Sequence, residues 1–140
     1  MYRRHFNALV KAWNTGEFDE LEQCVHNEIV RHGPASMKSS ANSIADLKNL
    51  ITGFRTAFPD LHLVLDEEIY QQGRSTIRWT FMGTNTGPGE FGPTGKFVKI
   101  QGASIAHFKD DKIMEEYVFY DTADFFAQLG LTDLSIAATG

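Results

Sequence analysis

The stretch from Lys112 to Gly130, KIMEEYVFYDTADFFAQLG, constrains the fold most, because its hydrophobic period changes partway along. Lys112 to Asp121 is rich in aromatic and β-branched residues and follows the turn-like Lys109-Asp110-Asp111, so it reads as a strand. Period 2 puts Ile113, Glu115, Tyr117, Phe119 and Asp121 on one face, and Met114, Glu116, Val118 and Tyr120 on the other. From Thr122 onward Phe125, Phe126 and Leu129 take helical spacing, and Gly130 is a stop signal. Asp121 therefore falls at a strand-to-helix junction, on the same face as two aromatic rings. Two readings of it stay open. Apolar rings disfavour the charged carboxylate and suit it to proton transfer. Equally, Asp121 can cap the last helix, with Asp124 three residues on.

Upstream, the chain begins helical. Phe6, Leu9, Val10 and Trp13 follow i, i+3, i+4, i+7, and Asn14-Thr15-Gly16 breaks the pattern. Phe18, Leu21 and Val25 suggest a short second helix, with Cys24 as a small buried residue. Ile29-Val30-Arg31-His32 is a short strand stopped by Gly33-Pro34, and a Ser-rich loop follows. Ser43 with Asp46 starts a third helix, whose phase runs through Ile44, Leu47, Ile51, Phe54 and Phe58 to Pro59. Strands are then expected at Leu61 to Tyr70, Ser75 to Met82 and Phe97 to Phe108. Helices first and an antiparallel run after them make an α+β plan, with the helices gathered on one face of a curved sheet. One domain over residues 1–140 is expected.

Several short motifs carry a family resemblance. The C-terminal stretch matches GKIxExWxxxD followed by a helix ending in QLG, here Asp111-Lys112-Ile113, Glu115, Tyr117, Asp121 and Gln128-Leu129-Gly130. Phe58-Pro59-Asp60, Gly83-Thr84-Asn85 and Pro93-Thr94-Gly95 match FPD, GTH and PTG. Together, over roughly residues 5 to 130, they resemble the SnoaL-like polyketide cyclases, which share the cone-shaped, cystatin-like fold of nuclear transport factor. The resemblance implies a curved, mostly antiparallel sheet with about three N-terminal helices on its concave face. It implies an intramolecular aldol condensation without a cofactor, and a homodimer or homotetramer. Asp121 would be the catalytic acid/base, and His107, in strand phase with Ala103 and Ile105, would orient it or donate to a substrate carbonyl. Tyr117 stands where the family usually has tryptophan. Asn85 stands where it has histidine, which would change how a substrate oxygen is held. His32, where the family also tends to carry histidine, would lie at the pocket rim. Bland readings stand beside these: an ordinary strand-end His32, and an outward His107.

Other aromatics are read by position. Trp13, Phe54 and Phe58 lie on apolar helix faces, while Trp79 and Phe81 share a strand face and Phe119 belongs to the final aromatic row. Such residues are core, and they can also line a pocket for a flat carbonyl compound. Glu115 shares the face of Asp121, but stands too far along the strand to act with it on one reacting atom.

Other chemistries are weakly signalled. Gly87 to Gly92 formally matches GxGxxG, but Pro88 sits inside it and a strand rather than a helix follows, so a hairpin connection is the better reading. The five histidines have no compact ligand spacing, so no metal is expected. Cys24 is the lone cysteine, which excludes an internal disulfide and fits a cytoplasmic location. A net charge of −5 without a basic run argues against nucleic acid or an anionic membrane as partner. MYRRHFNALV lacks the apolar run of a secretory signal. The alternatives to a cyclase are an isomerase or hydrolase acting on another small carbonyl compound, and a non-catalytic binding or dimerisation module.

Overall fold

Four runs with alternating polarity pair in sequence order. In the computed structural model, which describes residues 2–131, β2 (His62–Gln71), β3 (Arg74–Thr84), β4 (Phe97–Lys109) and β5 (Lys112–Tyr120) form an antiparallel meander. The last hairpin turns through Asp110 and Asp111, both at positive φ (53° and 61°), the conformation a tight hairpin demands. β1 (Val25–His32) pairs in parallel with the far edge of β5, so the sheet order is β1-β5-β4-β3-β2. Among the described residues this is the expected α+β plan: four helices and a five-stranded, curved, unclosed mixed sheet. The expected single domain over residues 1–140 includes Met1 and residues 132–140, which lie outside the described residues.

The helices are α1 (Tyr2–Thr15), α2 (Leu21–Cys24), α3 (Ile44–Ala57) and α4 (Thr122–Gln128). α1 buries Phe6, Leu9, Ala12 and Trp13, and α3 buries Leu47 and Ile51. Each such large apolar side chain contributes about 1.5–3 kcal/mol. Ser43 caps α3 as expected, its hydroxyl accepting from the Asp46 amide at 3.1 Å. The second helix is a single turn. Val25, expected on its face, instead opens β1, where β-branched residues suit the pleat. No helix among the described residues is long and apolar enough to cross a membrane.

Two irregularities bend the sheet. Pairing shifts by one residue at Asp66 in β2 and at Met114 in β5. The second has the larger consequence. His107 pairs with Glu115 but Phe108 pairs with Ile113, so Met114 is an extra residue. Ile113 points inward before the bulge; after it Glu116 and Val118 are buried, whereas Phe119 is exposed. The unbroken face expected for Ile113, Glu115, Tyr117, Phe119 and Asp121 is therefore wrong beyond Ile113, because one inserted residue flips every side chain after it.

The three loop motifs meet in one clamp. Asp60 accepts from the Thr84 amide at 2.7 Å and the Thr84 hydroxyl at 2.8 Å, which holds its carboxyl below the usual range. Asn85 is fully buried; its carboxamide donates to the Ala57 carbonyl at 3.0 Å and accepts from the amide and hydroxyl of Thr94, each at 3.0 Å. The loop also presses against the end of α3 at Gly87, where a Cβ would lie 1.8 Å from the Thr56 carbonyl oxygen. Asn85→Ala strands the half-buried Thr94 amide and removes a partner of the buried Ala57 carbonyl. Urea unfolding should show a loss of about 2 kcal/mol or more.

Candidate functional site

Between α1, α3 and the inner face of the sheet lies a mostly apolar cavity of about 80 Å³. Trp13 and Leu9 line it from α1, Phe54 from α3, and Trp79 and Phe81 from β3. The Trp79 ring reaches across β4 because position 102 is glycine: a Cβ there would lie 2.4 Å from the indole. Trp79 then donates from Nε1 to the Ser104 hydroxyl at 2.9 Å, which satisfies both buried groups. Four of the predicted substrate-binding residues, Trp13, Phe54, Trp79 and Phe81, thus line one cavity.

The polar end of the cavity comes from β1 and β5. Arg31 and Glu116 are register partners in the parallel pairing, and both side chains turn inward. Their side chains are each 8% exposed, with Arg31 Nε 3.5 Å from Glu116 Oε1. Arg31 also donates from Nη1 to the Ser39 carbonyl. Tyr120 lies two positions beyond Val118 on the same cavity face. Among the described residues its hydroxyl has no hydrogen-bond partner.

Burial sets the protonation chemistry. It pushes the Glu116 carboxyl up, with Arg31 opposing, and it pulls the Arg31 guanidinium down, with Glu116 opposing. A guanidinium starts so high that it stays charged, so Glu116 is the member of the pair that titrates. The folded chain holds this proton more tightly than the unfolded chain. Glu116's share of stability is thus full below the ordinary carboxylate range and is lost as pH rises through its raised value. Burial likewise lifts the Tyr120 phenol to about 12, with Arg31 opposing, so it remains a hydrogen-bond donor near neutrality.

The remaining predicted site residues lie elsewhere. Asp121 is exposed and accepts from the Asp124 amide at 3.0 Å as the cap of α4. Strand alternation, inward at Tyr120, turns Asp121 away from the cavity. Of the two readings held open for it, the structure shows the cap. Phe58 is fully buried in the core beneath the cavity, edge-on to Phe81 at 5.4 Å between centroids. Asn85 belongs to the loop clamp rather than to a substrate oxygen.

His32, His107, Tyr117 and Phe119 belong to the outer face of the sheet. There His32 Nε2 lies 2.9 Å from Glu115 Oε2, and the Tyr117 hydroxyl donates to the same oxygen at 3.1 Å. These contacts hold the Glu115 carboxyl below its usual range. The His32 ring stacks on Tyr117 at 4.4 Å, and His107 meets Tyr117 at 6.1 Å. Phe119 is 58% exposed. The bulge at Met114 accounts for Tyr117 and Phe119, whereas His107 on β4 takes the outward reading and His32 stands at the end of β1. Among the described residues no group of three or more His, Cys, Asp or Glu could hold a metal ion.

Arg31, Glu116, Tyr120 and Ser104 were missed by the sequence reading. One signal was available: Glu116 is an acid in the otherwise apolar row Met114, Val118, Tyr120, and Arg31 is a base one position past two β-branched residues. A charge on each of two buried faces calls for a partner.

The fold has close counterparts among solved structures. AclR of Streptomyces galilaeus is 25% identical, with a TM-score of 0.74 over 92% of this chain and 95% of its own. TsrD of Streptomyces laurentii is 22% identical, with a TM-score of 0.80 over 91% and 93%. IdmH of Streptomyces antibioticus is 18% identical, with a TM-score of 0.76 over 94% and 99%. No curated protein sequence matches. The family model described as SnoaL-like polyketide cyclase matches residues 3–129, nearly the whole described fold. The chain belongs to the SnoaL-like polyketide cyclase family.

Proposed function

We propose that this chain catalyses proton transfer on a small, largely apolar carbonyl compound, with Glu116 as the general acid/base. The observation that carries this reading is a buried carboxylate beside a buried guanidinium and an unpartnered phenol in a mostly apolar cavity. Arg31 and Tyr120 would hold the carbonyl oxygen. Glu116 would take a proton from the adjacent carbon, leaving an enolate whose charge those two donors stabilise. In the cyclase reaction that carbon attacks a second carbonyl of the same molecule. Protonated Glu116 then gives its proton to the new alkoxide, and the ring is closed without net loss of atoms. Returning the proton to a different carbon would make the same site an isomerase.

The family motif favours Asp121 for this role, so the two carboxylates are tested against each other. The assay is deuterium uptake at the methyl carbon of acetophenone in D2O, followed by NMR. Glu116→Gln keeps the volume and an acceptor for Arg31, and Asp121→Asn keeps a helix cap. Glu116→Gln should slow exchange about a hundred-fold or more, and Asp121→Asn by no more than a few-fold. The opposite pattern transfers the role to Asp121. Exchange absent from the unaltered protein, or unchanged in both variants, leaves a binding module.

The pH profile carries a second expectation. A base must be deprotonated, so exchange should rise with pH through a midpoint above the ordinary carboxylate range. Glu116→Gln should remove that rise. A midpoint near 4 would overturn the assignment.

We also propose a homodimer through the outer sheet face, where Phe119 and Ile105 stand exposed across adjacent strands. Light scattering should give twice the chain mass, and Phe119→Asp should give the monomer. A monomer before substitution rejects this assembly.

A further inference from the structure

The hydrogen bond between Trp79 and Ser104 leaves one proton over. Trp79 donates from Nε1 to the Ser104 hydroxyl at 2.9 Å. An indole nitrogen only donates, whereas a hydroxyl has one proton to give and two lone pairs to fill. The bond therefore satisfies the indole and one lone pair of the serine oxygen. The serine's own proton finds no acceptor among the described residues. Ser104 lines the cavity and is 6% exposed, so bulk solvent is not the partner of that proton. A buried donor of this kind calls for an acceptor.

Strand register decides where the hydroxyl stands. Ser104 pairs with Val118 on β5, so Glu116 and Tyr120 are its diagonal neighbours on the same face. On the β3 side it pairs with Ile77. The indole reaches it across Gly102, which pairs with Trp79 on one side and with Tyr120 on the other. The same ring meets Tyr120 edge-on at 5.9 Å between centroids. One indole thus touches both hydroxyl-bearing side chains that line the cavity. It holds the serine oxygen from the β3 side. The β5 side, where Glu116 and Tyr120 stand, is left for the serine proton.

We propose that Ser104 is a third donor to the reacting oxygen, one that acts on the enolate more than on the carbonyl, and that Trp79 is the residue that positions it. A neutral carbonyl oxygen offers two lone pairs, which Arg31 and Tyr120 would fill. When Glu116 takes the carbon-bound proton, that oxygen gains charge and the hydrogen bonds made to it strengthen. A donor already aimed at it then stabilises the charged state without reorganising, and such a difference between states is what raises a rate. The proposal rests on the reading of this cavity as a proton-transfer site.

Equilibrium dialysis with three probes tests it. In 4-nitrophenolate a charged oxygen stands in for the enolate; acetophenone carries the neutral carbonyl; α-methylstyrene has the same skeleton with a methylene in place of the oxygen. The background is Glu116→Gln, because Glu116 is protonated once the enolate exists and the carboxamide matches that neutral form. Adding Ser104→Ala should weaken 4-nitrophenolate about tenfold or more and acetophenone by no more than about threefold. α-Methylstyrene should bind unchanged, which reports an intact cavity. Ser104→Cys keeps the side-chain shape with only a weak donor and should show the same selective loss. Equal weakening of all three probes makes Ser104 a packing residue and overturns the proposal, as does undiminished binding of 4-nitrophenolate in both variants. Binding needs no turnover. A chain silent in deuterium exchange that shows the selective loss would keep the Ser104 donor while losing the proton-transfer reading. Exchange that depends on Glu116 but proceeds undiminished in Ser104→Ala would keep that reading and overturn this one.

Discussion

An arginine and a glutamate face each other across the parallel pairing of β1 with β5, and both are shut away from bulk water. Removing two charges from water costs several kcal/mol per ion, and a contact of 3.5 Å does not fully offset that. An apolar pair of the same volume would serve stability as well. What the pair achieves is positional. It fixes a cation and a titrating acid at one end of a cavity whose other walls are rings and aliphatic chains. The Ser39 carbonyl, by binding the same guanidinium, ties the Ser-rich loop to that arrangement.

Most of the architecture was legible in the sequence because it depends on local periodicity. The faces of α1 and α3, the cap at Ser43, the stop at Pro59 and the turn at Lys109-Asp110-Asp111 all follow from nearest-neighbour chemistry. The site was less legible because strand faces depend on register, and register can shift. A single extra residue at Met114 exchanges Glu115 for Glu116 and Phe119 for Tyr120 as the inward groups. Nothing local to KIMEEYVFY marks that insertion. The same limit applies to Arg31, whose role requires a partner more than eighty positions away.

The motifs that reveal the family turn out to be structural in this chain. Asp60, Thr84, Asn85 and Thr94 come from the three matching loop motifs and bind one another rather than the cavity. The clamp fastens the loop between β3 and β4 to the end of α3, beside the inner face of the sheet. It carries the shape of the fold, and shape does not decide the reaction. Asn85 illustrates the point. Read as a substitute for a catalytic-side histidine, it is a carboxamide that donates and accepts at once in a space with no exposure.

The position of Asp121 follows from the same geometry. β5 ends inward at Tyr120, and the chain must turn immediately to start α4, whose Phe125 and Phe126 cover the open end of the core. The residue at that turn has an extended backbone, and its carboxylate is the natural acceptor for the Asp124 amide. To reach the cavity it would have to give up that bond and cross the line of the strand. Glu116 needs no such movement. It already lies among apolar walls, with its counter-ion in register and a phenol two steps along the same face. A proton-transfer site needs its acid held where water is scarce and charge is countered, and in this fold the strand interior meets that condition while the helix cap does not.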